Sequence, residues 1–335
     1  MKYLVLFLLS LCACSEQKEK LYLFTFEAVD PDLLDAFEKE FNCTLYVDGY
    51  ESNEAMYAKL KAIGSGYDLI NPSSYFIPTL SRQGLLDPIN KEWIPNLRLL
   101  DQKRLVQLGE SPEAVYSVPY TLSYSVIGYR KDMIPNVDSW YIFDQSSLKG
   151  RMTMLNDMRE VLGAALLALG YSPNTQKPQE IEEAGLLARR WKLQLANFIS
   201  YPALHSLADA EYYIIQAYSS DIIKLQRDAP LVGYAIPKEG GAISCDHFAI
   251  PKGAPHKKLA HDFINFLLRP ENAAINMAYT GFIIPIHGVE QYLDKEILEN
   301  KAYFPEKEEM EKSVLLQDVG ESLKFYQQEW EATKF

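Results

Sequence analysis

The sequence predicts an α/β protein made of two lobes with a cleft between them. Two segments in which buried strands alternate with amphipathic helices indicate this class, residues 21–70 and residues 151–170. Long β-rich runs at residues 116–129 and 243–250 lie before and after the second segment. The chain is therefore expected to cross between the lobes more than once.

The first segment reads as strand, helix, strand, helix, strand. Its strands are predicted at residues 21–26, 44–47 and 67–70, and Asp30-Pro31 suits the start of the first helix. Ser52 or Asn53 can cap the second helix. In such sheets, ligands bind beyond the carboxyl ends of the strands.

The second segment begins with an apolar strand at residues 152–155, which is followed by a helix. Asp157 and Glu160 lie three residues apart on the first helical turn, beyond the end of this strand. Two carboxylates aimed into a crevice form a site for a cation. The same pair can also be read as a helix cap that complements the helix dipole, and this turn alone does not distinguish the two.

Length and charge restrict the function further. The chain has 335 residues, of which 48% are hydrophobic and 23% charged, as expected for a globular protein with two domains. A formal charge of −12 argues against nucleic acid as a partner and is compatible with a cationic ligand.

The N-terminus resembles that of a bacterial lipoprotein. An apolar run at residues 3–11 is followed by Leu11-Cys-Ala-Cys14, which is similar to a lipobox. We therefore expect a signal peptide at residues 1–13, lipidation of Cys14, and a polar tether at residues 14–20. A simple signal peptide cleaved nearby is the alternative. With residues 1–13 removed and Cys14 lipidated, only Cys43 and Cys245 remain, too few for a disulfide framework.

The residues predicted to line the cleft share an acidic and aromatic character. They are Glu27, Tyr75, Asp157, Glu160, Tyr218 and Asp246. Carboxylates bind ammonium groups through charge-assisted hydrogen bonds, and aromatic faces cover methylene groups or attract the charge. This set suits an organic polycation.

Several segments resemble the periplasmic spermidine/putrescine-binding proteins of ABC importers, in the same order along the chain. They are residues 50–61, 67–75, 116–120, 155–161, 237–241 and 264–270. The resemblance covers nearly the whole mature chain and implies the two-lobed type II periplasmic-binding fold with a hinged interdomain cleft. We predict a first lobe of residues 21–119 plus 246–290 and a second lobe of residues 120–245 plus 291–335.

The resemblance also implies a set of ligand-binding residues. These fall on Phe26, Glu27, Ser73, Tyr75, Asp157, Glu160, Tyr218, Ser244, Asp246 and Phe282. The family usually has Trp at the positions of Phe26, Tyr218 and Ser244, so the carboxylates persist while the aromatic box is thinned. A family Gln near the C-terminus falls on Leu316 or Gln317.

The resulting prediction is a lipid-anchored receptor that binds a protonated polyamine and delivers it to the permease subunits of an ABC transporter, at the periplasm or outer face of the cell membrane. Another cationic amine or amino acid, and a role as a sensor or surface protein, are the alternatives. We expect no enzyme and no cofactor, because the chain lacks Gly-x-Ser-x-Gly, Walker and Cys-x-x-Cys motifs. We also expect no metal site, since His256 and His261 are off the helical i,i+4 spacing.

Overall fold

A computed structural model describes residues 18–26, 28–64, 66–110, 115–200, 202–303, 305 and 307–334. The predicted signal peptide, the lipidation site Cys14 and the predicted ligand residue Glu27 lie outside the described residues. Within these ranges, no helix combines the length and the apolar character needed to cross a membrane.

The strands and helices alternate along most of the chain. The strands are β1 Glu19–Thr25, β2 Cys43–Gly49, β3 Leu69–Asn71, β4 Leu86–Asp87, β5 Ser117–Arg130, β6 Met152–Met154, β7 Asn197–Phe198, β8 Ile214–Tyr218, β9 Val232–Ala235, β10 Ala242–Pro251 and β11 Val314–Leu315. The helices are α1 Pro31–Phe41, α2 Asn53–Ile63, α3 Ile77–Arg82, α4 Gln102–Gln107, α5 Met158–Ala168, α6 Pro178–Lys192, α7 Pro202–Ala208, α8 Ser219–Asp228, α9 Lys257–Leu267, α10 Pro270–Thr280, α11 Lys295–Glu299, α12 Lys307–Lys312 and α13 Leu323–Lys334.

Eight of these strands form one continuous hydrogen-bonded path in the order β2-β1-β3-β10-β5-β8-β6-β7, and β4, β9 and β11 pair beside it with β10 or β5. The strands of each end group, β2-β1-β3 and β8-β6-β7, are mutually parallel. The two long strands β5 and β10 pair antiparallel in the middle and link the two groups. The predicted double crossover is therefore confirmed, while the residue boundaries of the two lobes stay a prediction.

Local capping explains where the helices of the first group begin. The Asp30 side chain accepts a hydrogen bond from the backbone of Asp32, with Pro31 at the first helical position, as predicted. Ser52, one of the two candidate caps, accepts from the backbone of Ala55. Asn53, the other candidate, does not cap the helix. Its side chain instead hydrogen-bonds to residues that follow the end of β3.

The second group surrounds a separate apolar core. Strand β6 and helices α5, α6 and α13 contribute to it, with Trp140 and Trp191 fully buried at its centre. Helix α13 packs against both α5 and α6. This packing ties the C-terminal end of the chain to the helix that begins at Asp157.

A β-bulge interrupts the central β5–β10 ladder. Asp246 pairs with Thr121 and His247 with Pro119, which leaves Tyr120 as the extra residue on β5. Pro119 lacks the N–H that a regular ladder needs, so the bulge accommodates it.

Several elements were not predicted from the sequence, and two of them show why. Helix α10 begins at Pro270, directly after α9, and the short strand β11 pairs parallel with the start of β10. Proline fits the first turn of a helix as readily as a loop, and a strand of two residues has no detectable periodicity.

Candidate ligand cavity

A narrow cavity lies beside the ends of β3 and β8, the interior of β5 and β10, and the start of α5. We call it the inner cavity; its volume is about 40 Å³, which suits roughly three or four water-sized groups. Its lining residues are Phe26, Tyr50, Glu51, Ser52, Asn53, Ser73, Tyr75, Ser123, Asp157, Glu160, Tyr218, Ser244, Asp246 and Phe282. Nine of the ten residues predicted to bind ligand are among them, and the tenth, Glu27, is not described.

A larger outer cavity adjoins the inner one. Its volume is about 310 Å³. The two cavities share Phe26, Tyr50, Glu51, Asp157 and Tyr218. An extended molecule can therefore place one end group in the inner cavity and continue into the outer one.

Asp157 caps the helix and also faces the cavities, so its two possible roles are compatible. It is the N-cap of α5, where its Oδ1 accepts hydrogen bonds from the backbone N–H groups of Arg159, at 2.8 Å, and Glu160, at 3.1 Å. The same side chain lines both cavities. Burial raises the pKa of Asp157, with a contribution from the charge of Asp246, although these backbone donors and Arg159 act in the opposite direction.

Glu160 is the most strongly perturbed carboxyl group of the inner cavity. Burial, followed by the negative charge of Asp157, raises its pKa from 4.5 to about 8. Ser244 donates a hydrogen bond of 3.0 Å to its Oε1. The Ser125 hydroxyl also acts on this carboxyl group, whereas its buried Oε2 has no well-formed hydrogen bond among the described residues. When Glu160 is ionised, Oε2 can accept a hydrogen bond from an ammonium group inside the cavity.

Strand β10 supplies the opposite wall. Side chains alternate across a strand, and Ser244 and Asp246 both line the inner cavity. Asp246 forms an isolated bridge with Ser73, which follows β3. Ser73 and Asp246 therefore lie side by side although the sequence separates them widely.

Asn53 positions Ser73 and Tyr75, which both line the inner cavity. Its Nδ2 donates to the hydroxyl oxygens of Ser73, at 3.1 Å, and Tyr75, at 3.0 Å. Its Oδ1 accepts from the backbone N–H of Ser73 at 3.1 Å. Sequence reasoning considered Asn53 only as a possible helix cap, so its contact with the wall was missed. The signal was present in residues 50–53, which resemble the family but were not assigned to the site.

The aromatic rings surround the acidic groups. Burial raises the pKa of Tyr75 and of Tyr218 well above the usual value, and nearby carboxylates, Asp157 for Tyr75 and Glu160 for Tyr218, add to the shift. Both hydroxyl groups therefore stay neutral. Phe26 packs at 6.1 Å, centroid to centroid, from Tyr50. Tyr50 was not predicted as a site residue.

Phe282 reaches the cavity from a turn that requires glycine. Gly281 ends α10 with φ of 79°, and a Cβ on it would lie 2.3 Å from the carbonyl oxygen of Ser220. Only glycine fits this close approach, which directs the chain so that Phe282 lines the inner cavity.

Arg159, a cation that was not predicted from the sequence, lies behind Tyr75 as seen from the inner cavity. Arg159 is 2% exposed, and its guanidinium carbon lies 5.2 Å from the ring centroid of Tyr75. It donates hydrogen bonds to the carbonyl oxygens of Gln317 and Pro173 and to Oδ1 of Asn174. Arg159 does not line the inner cavity, and no Lys, Arg or His among the described residues does.

The C-terminal positions considered for a family Gln do not line either cavity. Leu316 is buried in packing, and the side chain of Gln317 is exposed. Gln317 contributes instead through its backbone, which accepts from Arg159 at 3.1 Å.

Comparison with known proteins identifies the family. Residues 32–305 match the family model described as bacterial extracellular solute-binding protein. The chain belongs to this family. A relative from Salmonella typhimurium, the spermidine/putrescine-binding periplasmic protein, is 31% identical over 326 residues, which are 96% of this chain and 93% of the relative.

Solved structures of family members have the same architecture. The lipoprotein TpPotD of Treponema pallidum is 33% identical, with a TM-score of 0.86 over 95% of this chain and all of that one. The spermidine/putrescine ABC transporter substrate-binding protein PotD of Streptococcus pneumoniae is 26% identical, with a TM-score of 0.79 over 95% of this chain and 100% of that chain. The predicted two-lobed periplasmic-binding fold is confirmed. This solute-binding protein is not an enzyme, in agreement with the sequence prediction.

Proposed function

We propose that this solute-binding protein captures a protonated polyamine of the putrescine or spermidine class and delivers it to the permease subunits of an ABC transporter. The observation that carries the proposal is the inner cavity itself, where Asp157, Glu160 and Asp246 meet beside the rings of Tyr75 and Tyr218. The relatives named above are described as binding spermidine and putrescine, which agrees with this chemistry.

The carboxylates and rings have separate roles in this proposal. Glu160 Oε2 and the carboxylates of Asp157 and Asp246 accept hydrogen bonds from ammonium groups. Tyr75 and Tyr218 cover the methylene chain or attract the adjacent charge, each contact contributing about 0.5–2 kcal/mol. Phe26, Phe282, Ser73 and Ser244 complete the lining, and Glu27, near the end of β1, neutralises a further ammonium group.

The size of the cavities favours a thin, extended ligand. One ammonium group fits the inner cavity, and an alkyl chain fits the passage between Phe26 and Tyr218 into the outer cavity. A cationic amino acid also carries a carboxylate, which would need a cationic partner among these acidic side chains. No Lys, Arg or His among the described residues lines either cavity, so the lining favours a polyamine over lysine or arginine.

Calorimetry on the purified protein tests the ligand. We expect measurable binding heat with putrescine or spermidine and none with lysine or arginine. Asp157→Asn should weaken the binding, whereas Glu299→Gln, on an exposed helix far along the chain, should not. Absence of heat with putrescine, spermidine and spermine at millimolar concentration would refute the polyamine assignment, and retained lysine or arginine would support the alternative.

We further propose that the protein is anchored through a lipid on Cys14 at the outer face of the cell membrane, with lobes divided at the predicted boundaries. The lipobox-like Leu11-Cys-Ala-Cys14 supports the anchor, and one structural relative is itself described as a lipoprotein. Mass spectrometry of the N-terminal peptide should find acyl chains on Cys14, and Cys14→Ser should release the protein from membranes. An unmodified Cys14 in membrane-extracted protein would contradict the anchor.

Delivery to a permease can be tested in the source organism. Deleting the gene should reduce the uptake of radiolabelled putrescine, and restoring the gene should recover it. Restoration with Asp157→Asn should not recover uptake at low external putrescine. Normal uptake in the deletion strain would favour a sensor or surface role instead.

A further inference from the structure

A second group of chemically active side chains lies on the opposite face of β10 from the ligand cavity. Ser244 and Asp246 line the inner cavity, whereas Cys245 and His247 alternate to the other side. Glu110, which follows α4, meets them there. One ligand-type atom from each of Glu110, Cys245 and His247 lies within 4.8 Å of the other two, and we call these residues the Glu110 cluster.

The Glu110 cluster is buried. Cys245 is 1% exposed, and the side chains of His247 and Glu110 are 3% and 8% exposed. Hydrogen bonds from Ser74 and Cys245 reach the Glu110 carboxylate, which also faces the His247 ring. The His247–Glu110 contact compensates part of the cost of burying these groups, and a metal ion between the three side chains would compensate more of it.

The ring of His247 is oriented as a metal ligand would be. Its Nδ1 lies 2.9 Å from Oγ of Ser117, a contact that can fix the ring and its tautomer. Its Nε2 lies 3.2 Å from Oε2 of Glu110 but makes no well-aligned hydrogen bond with any described residue. A buried, poorly satisfied ring nitrogen therefore points toward a carboxylate and a thiol.

We propose that Glu110, Cys245 and His247 bind a divalent transition-metal ion, with Zn²⁺ as the preferred ion. Zn²⁺ takes thiolate sulfur, imidazole nitrogen and carboxylate oxygen in tetrahedral geometry, and three protein ligands leave its fourth position for water. Bonds of about 2.0–2.3 Å place such ligands about 3.5 Å apart, so a small side-chain adjustment closes the site. Ca²⁺ and Mg²⁺ prefer oxygen ligands and suit this set poorly.

Binding at this site exchanges a proton for the metal ion. The Cys245 thiol gives its proton to solvent, and the thiolate sulfur bonds to Zn²⁺ with no change in oxidation state. A cavity of about 220 Å³ is lined in part by Glu110 and Ser117 and therefore lies beside the site. This cavity shares no lining residue with the two ligand cavities.

The position of the cluster connects it to the ligand wall. Asp246 lies between Cys245 and His247, and Ser74, which bonds Glu110, lies between Ser73 and Tyr75. The backbone N–H of His247 also donates to the carbonyl oxygen of Pro72 at 2.8 Å. A bound metal ion would therefore hold together the two chain segments that carry these ligand residues, and we expect it to raise the thermal midpoint of unfolding.

Zinc titration of the full chain tests this site. The protein, purified in mild detergent without a histidine tag, carries Cys12→Ser and Cys14→Ser so that Cys43 and Cys245 are its only thiols. Competition with a chromogenic chelator should show one Zn²⁺ bound per chain, and Co²⁺ should give a thiolate-to-metal charge-transfer band. Cys245→Ala and Glu110→Gln should each weaken Zn²⁺ binding at least tenfold, with loss of the Co²⁺ band in Cys245→Ala.

Cys43→Ala is the matched control, because Cys43 is also a buried thiol but lies at the start of β2. It should bind Zn²⁺ like the parent. The proposal is overturned if the parent binds no stoichiometric Zn²⁺, if its Co²⁺ complex lacks the thiolate band, or if Cys245→Ala binds as tightly as Cys43→Ala. The Co²⁺ spectrum of the parent protein tests for thiolate ligation even if a variant fails to fold. No polyamine enters the assay, so its failure would leave the proposed function untouched.

Discussion

The guanidinium carbon of Arg159 lies 5.2 Å from the ring centroid of Tyr75 and 5.1 Å from that of Tyr326. Arg159 therefore stands between an aromatic wall of the ligand cavity and helix α13 near the C-terminus. It covers one face of Tyr75, and its charge opposes the rise in the pKa of Asp157. This buried cation joins segments that are far apart in the chain.

Arg159→Met should destabilise the ligand-free protein. Methionine keeps much of the apolar stem but removes the three hydrogen bonds from Arg159 to Gln317, Pro173 and Asn174. The Pro173 carbonyl keeps the Tyr326 hydroxyl and Asn174 Oδ1 keeps the backbone N–H of Gln317 as donors, so the Gln317 carbonyl loses most. A hydrogen bond to a charged group contributes about 1.5–3 kcal/mol, and a buried acceptor left without a partner costs about 1–3 kcal/mol. We expect the free energy of unfolding in urea to fall by about 2–4 kcal/mol.

Arg190→Met provides the control for this change. Arg190 pairs with Asp144 at 2.7 Å, but its side chain is 55% exposed, so its loss should cost less than about 1 kcal/mol. An equal fall in the free energy of unfolding for both variants would mean that the buried contacts of Arg159 contribute no more to stability than an exposed ion pair.

Sequence reasoning found the acidic residues of the cavity more readily than their supports. Asp157 and Glu160 follow a short strand at a helix start, a local pattern that a sequence displays directly. Arg159 lies between them, yet its role depends on Gln317 and Tyr326, more than 150 residues away. Such a contact has no local signal.

The same distinction applies elsewhere in the fold. The alternating strands and helices up to β3 were predicted from periodicity and caps, whereas β11 is too short to show a period. The Glu110 cluster brings together residues 110, 245 and 247 across the central sheet. The i,i+2 spacing places Cys245 and His247 on one face of β10, but no motif links them to Glu110, which only the tertiary fold brings close.

Asp157→Asn and Asp157→Ala separate capping from ligand charge. Asparagine caps a helix about as well as aspartate, whereas alanine loses about 1 kcal/mol of helix stability. The midpoint temperature of unfolding of the ligand-free protein should therefore fall in Asp157→Ala and stay unchanged in Asp157→Asn. Calorimetry should find putrescine affinity reduced about ten- to a hundredfold in both variants, since a charge-assisted hydrogen bond contributes about 1.5–3 kcal/mol. Parental affinity in Asp157→Asn would remove Asp157 from the ligand site.

Asn53→Ala should loosen the aromatic wall. The change removes three hydrogen bonds to Ser73 and Tyr75, and one of the lost donors serves the Tyr75 hydroxyl. We expect a loss of about 1–3 kcal/mol in unfolding free energy and several-fold weaker putrescine binding. Tyr75→Phe, which removes only the contact at the hydroxyl, should have a smaller effect on both. If Tyr75→Phe had the larger effect on stability and binding, Asn53 would not be what positions Tyr75.

Putrescine affinity should rise with pH between about 6 and 8. Because burial and the charge of Asp157 raise the pKa of Glu160 to about 8, this group is mostly protonated in the ligand-free protein at neutral pH. An ammonium group beside Glu160 favours the ionised carboxylate, so binding expels the proton. The lower the pH, the more this deprotonation costs, up to tenfold in affinity for each pH unit.

Glu160→Gln isolates this effect. The variant should bind putrescine more weakly and with little dependence on pH over this range, because the titrating group is gone. Its ligand-free form should gain stability relative to the parent as the pH rises from about 5 to 8. Over this range the unfolded parent has released the Glu160 proton while the folded parent still holds it, so rising pH favours unfolding of the parent. Calorimetry in phosphate and Tris buffers counts the protons released, and a parent protein that releases none at pH 7 would contradict a protonated Glu160.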